Sequence, residues 1–136
     1  VELTMQHSQM LDLLQAERLA ILDGDVARAR ALLARLDELQ HAHLVDEESR
    51  LIPSLPESAR WHARIYVAEH RKLCTMMIEL RAGLDALPAY LADGGARLAV
   101  LDSQIPFKHV LEHHLEREEK GLFVEVGTGN IGAGRL

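Results

Sequence analysis

The chain has 136 residues, 48% of them hydrophobic but only 4% aromatic, and a formal net charge of −6. That length suits one domain with a real core, the Leu- and Ala-rich composition favours helices, and the acidic balance argues against nucleic acid or an anionic membrane as partner. No apolar run is long enough to span a membrane, no basic-then-apolar leader opens the chain, and its single cysteine fits a reducing compartment, so a cytoplasmic protein is expected.

The first predicted helix runs from about Val1 to Leu22, where Leu3, Met10, Leu11, Leu14 and Ile21 keep a helical period and His7 shares their stripe. Gly24 suits a helix C-cap and Asp25 the N-cap of the next helix. The second helix, about Asp25 to Leu51, carries Ala29, Leu32, Leu36 and Leu39 on a face that continues through His43, Glu47 and Leu51 until Pro53 and Pro56 stop it. A third is predicted from about Ser58 to Ala86, with Ala63, Tyr66, Val67, His70, Leu73, Cys74, Met77 and Leu84 facing inward. After Pro88 and Gly94-Gly95, a fourth spans Ala96 to Val126, with Pro106 kinking it or starting a fresh segment after Ser103. Its stripe is Phe107, Val110, Leu111, His114, Glu118 and Leu122. Four amphipathic segments with mostly short turns predict an all-α, up-down-up-down four-helix bundle over residues 1–126. Residues 127–136 contain Gly127-x-Gly129-x-x-Gly132 after a strand-like Leu122–Val126, but a dinucleotide fold needs a following helix and a βαβ unit. They read as a flexible Gly-rich tail.

Histidine is the anomaly, with eight in the chain. The stretch His43-Leu44-Val45-Asp46-Glu47-Glu48 returns 71 residues later as His114-Leu115-Glu116-Arg117-Glu118-Glu119. On a helix, each copy aims one imidazole and one carboxylate from the same face. His7 and His70 stand alone on the first and third helices, 63 residues apart. Counting about 1.5 Å per residue from the turn at Gly24 brings His7 and His43 within roughly 3 Å in height. Similar counts from Pro53, Ser58 and Gly94-Gly95 place all four histidines in one layer. Two imidazoles and a share of two carboxylates per half suit a pair of transition ions, iron first, then manganese, with zinc a further option. Without metal, two buried glutamates would each need a proton or a partner, at a cost of several kcal/mol.

Around this layer the other polar residues are read more plainly. Tyr66, one turn before His70, is placed to hydrogen-bond a metal-bound oxygen, though core packing is the commoner role. Cys74, one turn after His70, reads as a small core residue, with ligation or redox activity as the alternative. His109 and His113 point about 140° and 100° away from His114, towards solvent or a second copy of the chain in a homodimer. His41 and His62 lie off the stripes. Glu48 and Glu119 are read as solvated, the alternative being acceptors for ligand imidazoles.

On these residues the chain resembles the hemerythrin-like (HHE cation-binding) family. That family's motif is a first-helix His, His-x-x-x-Glu, a third-helix His and His-x-x-x-Glu. It falls here on His7, then His43 and Glu47, then His70, then His114 and Glu118, and the resemblance covers about residues 1–126. The doubled glutamates and the apolar pairs after them, Leu51-Ile52 and Leu122-Phe123, are family-like too. The resemblance implies a hemerythrin-like bundle around two iron ions, Fe2+ or Fe3+, with an oxo or hydroxo bridge. Oxygen-carrying hemerythrins have a second His where this chain has Cys74, and an Asp five residues after the fourth-helix His in place of Glu118. The four-His, two-Glu set is similar instead to the di-iron domain of proteins implicated in iron–sulfur cluster repair and nitric-oxide stress. The expected function is binding or sensing of a small ligand such as O2, NO or peroxide. The alternative is a di-iron enzyme, or an iron donor in cluster repair or in nitrosative and oxidative stress defence.

Overall fold

The computed structural model describes residues 2–126. Its first helix, α1 (Glu2–Leu22), turns sharply into α2 (Val26–Asp46). Gly24 makes the turn with φ +81°, a left-handed conformation that costs a side-chain-bearing residue energy. Asp25 N–H donates to Ala20 O (2.8 Å) and Gly24 N–H to Ile21 O (2.9 Å), the paired bonds that close a helix with a glycine after its cap. Asp25 then caps α2 by accepting from Arg28 N–H (3.0 Å).

Beyond Asp46 the helical path continues through a π turn, Glu47–Leu51, and a short 3-10 turn, Ile52–Ser54. Helix α3 is Ala63–Asp85. It begins five residues later than the sequence predicts, because residues 55–62 are used to cross the end of the bundle. Pro56 keeps Leu55 extended, Arg60 N–H donates to Glu125 (2.8 Å), and His62 caps α3 by accepting from Arg64 N–H (3.3 Å).

The fourth rod is broken where Pro106 forbids a continuous ladder. Helix α4 (Gly94–Ser103) is capped by Asp93, and α5 (Ile105–Arg117) starts with Pro106 in its first turn. A second π turn, Glu118–Leu122, leads into α6 (Phe123–Val126), so Leu122–Val126 is helical despite its strand-like composition. The break at Gln104 is fastened to α1: Gln104 Nε2 donates to the buried Glu17 (2.7 Å), and Arg18 donates to Leu101 O (3.0 Å) and Gln104 Oε1 (3.3 Å).

α1 packs on α2, α2 on α3, α3 on α5, and both α4 and α5 return to α1, which closes a four-helix bundle. The main core contains Met10, Leu14, Leu33, Leu36, Leu73, Met77, Phe107 and Leu111. A smaller apolar cluster, Leu3, Leu51, Ile52, Tyr66, Leu122 and Phe123, sits at one end. Leu11, predicted to face inward, is 37% exposed because the stripe of α1 passes through Met10, Leu14 and Glu17 instead. No helix among the described residues is long and apolar enough to cross a membrane. The Gly-rich tail, 127–136, lies outside the described residues.

Candidate metal centre

On each rod one stretch of polar residues separates the two apolar clusters. Leu3 and Met10 bracket His7, Leu36 and Leu51 bracket His43 and Glu47, Tyr66 and Leu73 bracket His70, and Leu111 and Leu122 bracket His114 and Glu118. All six of these polar side chains are buried. They converge as two groups, His7, His43, Glu47 and Glu118, and then Glu47, His70, His114 and Glu118, the atoms of each lying within 4.8 Å of one another.

The two glutamates belong to both groups because each divides its oxygens. Glu47 presents Oε2 to His43 Nε2 (2.8 Å) and Oε1 to His70 Nε2 (3.1 Å). Glu118 presents Oε1 to His7 Nε2 (2.9 Å) and His43 Nε2 (3.3 Å), and Oε2 to His70 Nε2 (3.3 Å) and His114 Nε2 (2.5 Å). The His7 and His43 Nε2 atoms themselves are 3.1 Å apart. Each acid is the first residue of a π turn, closed by Ile52 N–H to Glu47 O and Phe123 N–H to Glu118 O. Such turns insert an extra residue and re-aim side chains, which is why they gather at functional sites.

What they re-aim here is the doubled glutamate. The first of each pair points inward, and the second reaches a histidine on another helix. Glu48 accepts from His70 Nδ1 (2.7 Å) and Glu119 from His7 Nδ1 (2.8 Å). Both acids are about half exposed, so the reading of them as merely solvated is corrected: one face meets water and the other fixes an imidazole. Two further acceptors escaped the sequence reading altogether. Gln6 Oε1 accepts from His43 Nδ1 (2.7 Å) and Glu69 from His114 Nδ1 (2.7 Å). Their only signal is adjacency, since each directly precedes a lone histidine of the pattern.

This outer ring determines the chemistry of the inner one. A carboxylate or amide oxygen can only accept, so all four Nδ1 atoms carry hydrogens and every neutral Nε2 presents a lone pair inward. Lone pairs on nitrogen then face carboxylate oxygens at about hydrogen-bond distance. Both Glu47 oxygens and His114 Nε2 make no hydrogen bond despite these short separations, because the atoms crowd together without the alignment of donor and acceptor. Only a cation, either protons or metal, relieves that. Neighbouring donors on one transition ion at roughly 2.1 Å stand about 3 Å apart. The spacings of 2.8–3.3 Å among His7, His43, Glu47 and Glu118 agree with this, and mixed imidazole and carboxylate donors suit iron, manganese or zinc. The residues fit a metal ion.

In the metal-free chain, protons answer the same demand. Burial pushes His43 down, but Glu118 and Glu47 outweigh it and raise the imidazole to about 9. Against the same burial, Glu118, Glu47 and Glu48 raise His70 to about 10, and Glu118 and Glu69 raise His114 to about 9. Burial and the charge of Glu118 raise Glu47. Glu118 itself is pushed up by burial but held well below its usual range, His114 contributing most. Burial pushes Glu69 up too, and His114 and Arg117 bring it below the usual value.

Tyr66 lies fully buried in the small apolar cluster, its hydroxyl against Gly121 and without a side-chain partner, and burial with Glu125 nearby pushes it up to about 12. Cys74 is half-buried, outside both convergent groups, with its thiol pushed up by burial. His41, His62, His109 and His113 are exposed.

Residues 1–126 match the family model described as the hemerythrin HHE cation binding domain. Among curated proteins and solved structures, none matches the chain.

Proposed function

Because the chain belongs to the hemerythrin HHE cation-binding family, we propose that its six converging side chains hold two iron ions and that the site binds or senses a small ligand such as O2, NO or peroxide. His7 and His43 would hold one ion and His70 and His114 the other, while Glu47 and Glu118 each give one oxygen to either side. The observation that carries this reading is the division of both carboxylates between the two groups. When bound, two ions with four protein donors each would supply open coordination positions and one-electron redox chemistry to a small ligand.

The protein's own contributions are orientation and exclusion. Gln6, Glu48, Glu69 and Glu119 hold the four imidazoles by their outer nitrogens, so that Nε2 faces inward in every case. Phe123 stacks on the His7 ring with centroids 5.0 Å apart, and Leu3, Leu51, Ile52 and Leu122 cover the same end. The main core covers the other side. Such walls favour a compact ligand with little charge over a large polar substrate.

The test is optical. Iron-loaded protein is expected to change its visible spectrum on exposure to O2, NO or azide, and a spectrum indifferent to all three would contradict the ligand-binding reading.

A further inference from the structure

The chain's two halves repeat one unit more fully than the ligands alone reveal. In the first, Gln6-His7 is followed by His43 and Glu47-Glu48; in the second, Glu69-His70 is followed by His114 and Glu118-Glu119. Corresponding residues do corresponding work. Glu48 holds His70 and Glu119 holds His7, at 2.7 and 2.8 Å, and the two acids are 45% and 48% exposed. One serves each metal position, so their effects balance.

The other pair breaks the symmetry. An amide oxygen, from Gln6, stands behind His43, and a carboxylate, from Glu69, stands behind His114, both at 2.7 Å. Hydrogen bonds to an ionised acceptor are roughly twice as strong as neutral ones, and an imidazole bonded to a carboxylate is the more basic ligand. The setting reinforces the difference. Arg117 Nε donates to the other oxygen of Glu69 (3.0 Å), which offsets part of its charge while fixing its position. Asp46 occupies the place of Arg117 in the first half, where it pairs with Arg50 and its charge reaches His43 through space without a hydrogen bond to it or to Gln6. Gln6 therefore has no matching clamp from that position.

We propose that the two metal positions are inequivalent, with Glu69 acting through His114 as a positioning residue that makes the His70/His114 position the tighter one for a divalent cation, and Gln6 leaving the His7/His43 position weaker. This rests on the reading of the six side chains as ligands. Metals would then load in a defined order, and the ion beside His7 and His43 would be the more readily exchanged.

The test strips Zn2+ from the loaded chain with increasing chelator while the histidine ring resonances are followed by NMR. Two steps are expected, separated at least about tenfold in chelator strength, the usual scale for such outer partners. His7 and His43 should lose their metal-bound signals first. Gln6→Glu should draw the steps together by strengthening the weaker position, and Glu69→Gln by weakening the tighter one. A single step in the unmodified chain, loss beginning at His70 and His114, or an unchanged separation in both variants would overturn the inequivalence while leaving the two-ion reading intact. Failure of the chain to retain any Zn2+ would remove both.

Discussion

Glu118 and Glu17 are both fully buried, at opposite ends of the same bundle, and burial pushes each towards its neutral form. At the break between α4 and α5, Glu17 has only the Gln104 amide and the neighbouring Arg18 as counterweight, and it rises to about 7. Glu118, ringed by imidazoles, is held well below the usual range, His114 contributing most. The contrast separates two uses of a buried acid. One is a polar fastening that is comfortable when protonated; the other is an anion whose surroundings call for positive charge.

The largest way to sharpen that contrast is to supply the charge. Metal in thousandfold excess over its Kd stabilises a fold by about 4 kcal/mol, which for a domain of this size raises Tm by about 10–20 °C. Thermal melts of the metal-free and iron-loaded chain should show that rise, and Glu118→Gln should remove most of it. Metal must also displace protons from His43, His70 and His114, raised to about 9, 10 and 9. Calorimetry in buffers of different ionisation enthalpy should therefore detect proton release at pH 7, with affinity falling as the pH drops.

At the opposite end the sign is set by a raised acid. Glu17 binds its proton more tightly folded than unfolded, so its favourable contribution is complete below about 4.5 and is lost as pH rises to about 7. Glu17→Gln should remove that dependence. In denaturant melts the variant should gain on the parent chain by about 1–3 kcal/mol between pH 4.5 and 8. A constant difference across that range would show that Glu17 ionises freely in the fold.

Two smaller changes probe what holds each end. Trp61 packs on Gly121 in the second π turn, where an added Cβ would meet its ring carbons at 2.5 and 2.7 Å. Gly121→Ala should cost about 1–3 kcal/mol and shift the emission of this single tryptophan to longer wavelength as it is pushed outward. Asp25→Ala removes the α2 cap at the far end and should cost about 1 kcal/mol in a denaturant melt, with little effect on metal content.

How much of this is legible in the sequence follows from the range of each signal. That His7, His43, Glu47, His70, His114 and Glu118 share one layer is readable, because helical period and distance from the turns determine face and height. The π turns at Glu47 and Glu118 leave no mark in that period. Gln6 and Glu69 lie beside the stripe and find their histidines only across helix interfaces, which one-helix periodicity does not address. The late start of α3 is hidden for a similar reason, since residues 55–62 cross the bundle end and Trp61 among them lies against Gly121 on a distant turn. Glu17 is a different case: it falls on the stripe of Met10, Leu14 and Ile21, yet it escapes the sequence reading, because an acid with no motif around it reads as solvated.

The most direct measurement is iron content per chain by elemental analysis of the iron-loaded protein, taken beside the same assay on Glu47→Ala. Glu47 gives an oxygen to each group, so the account expects two irons in the parent chain and a clear loss at both positions in the variant. A single ion in the parent chain, or two ions retained after Glu47→Ala, would contradict it.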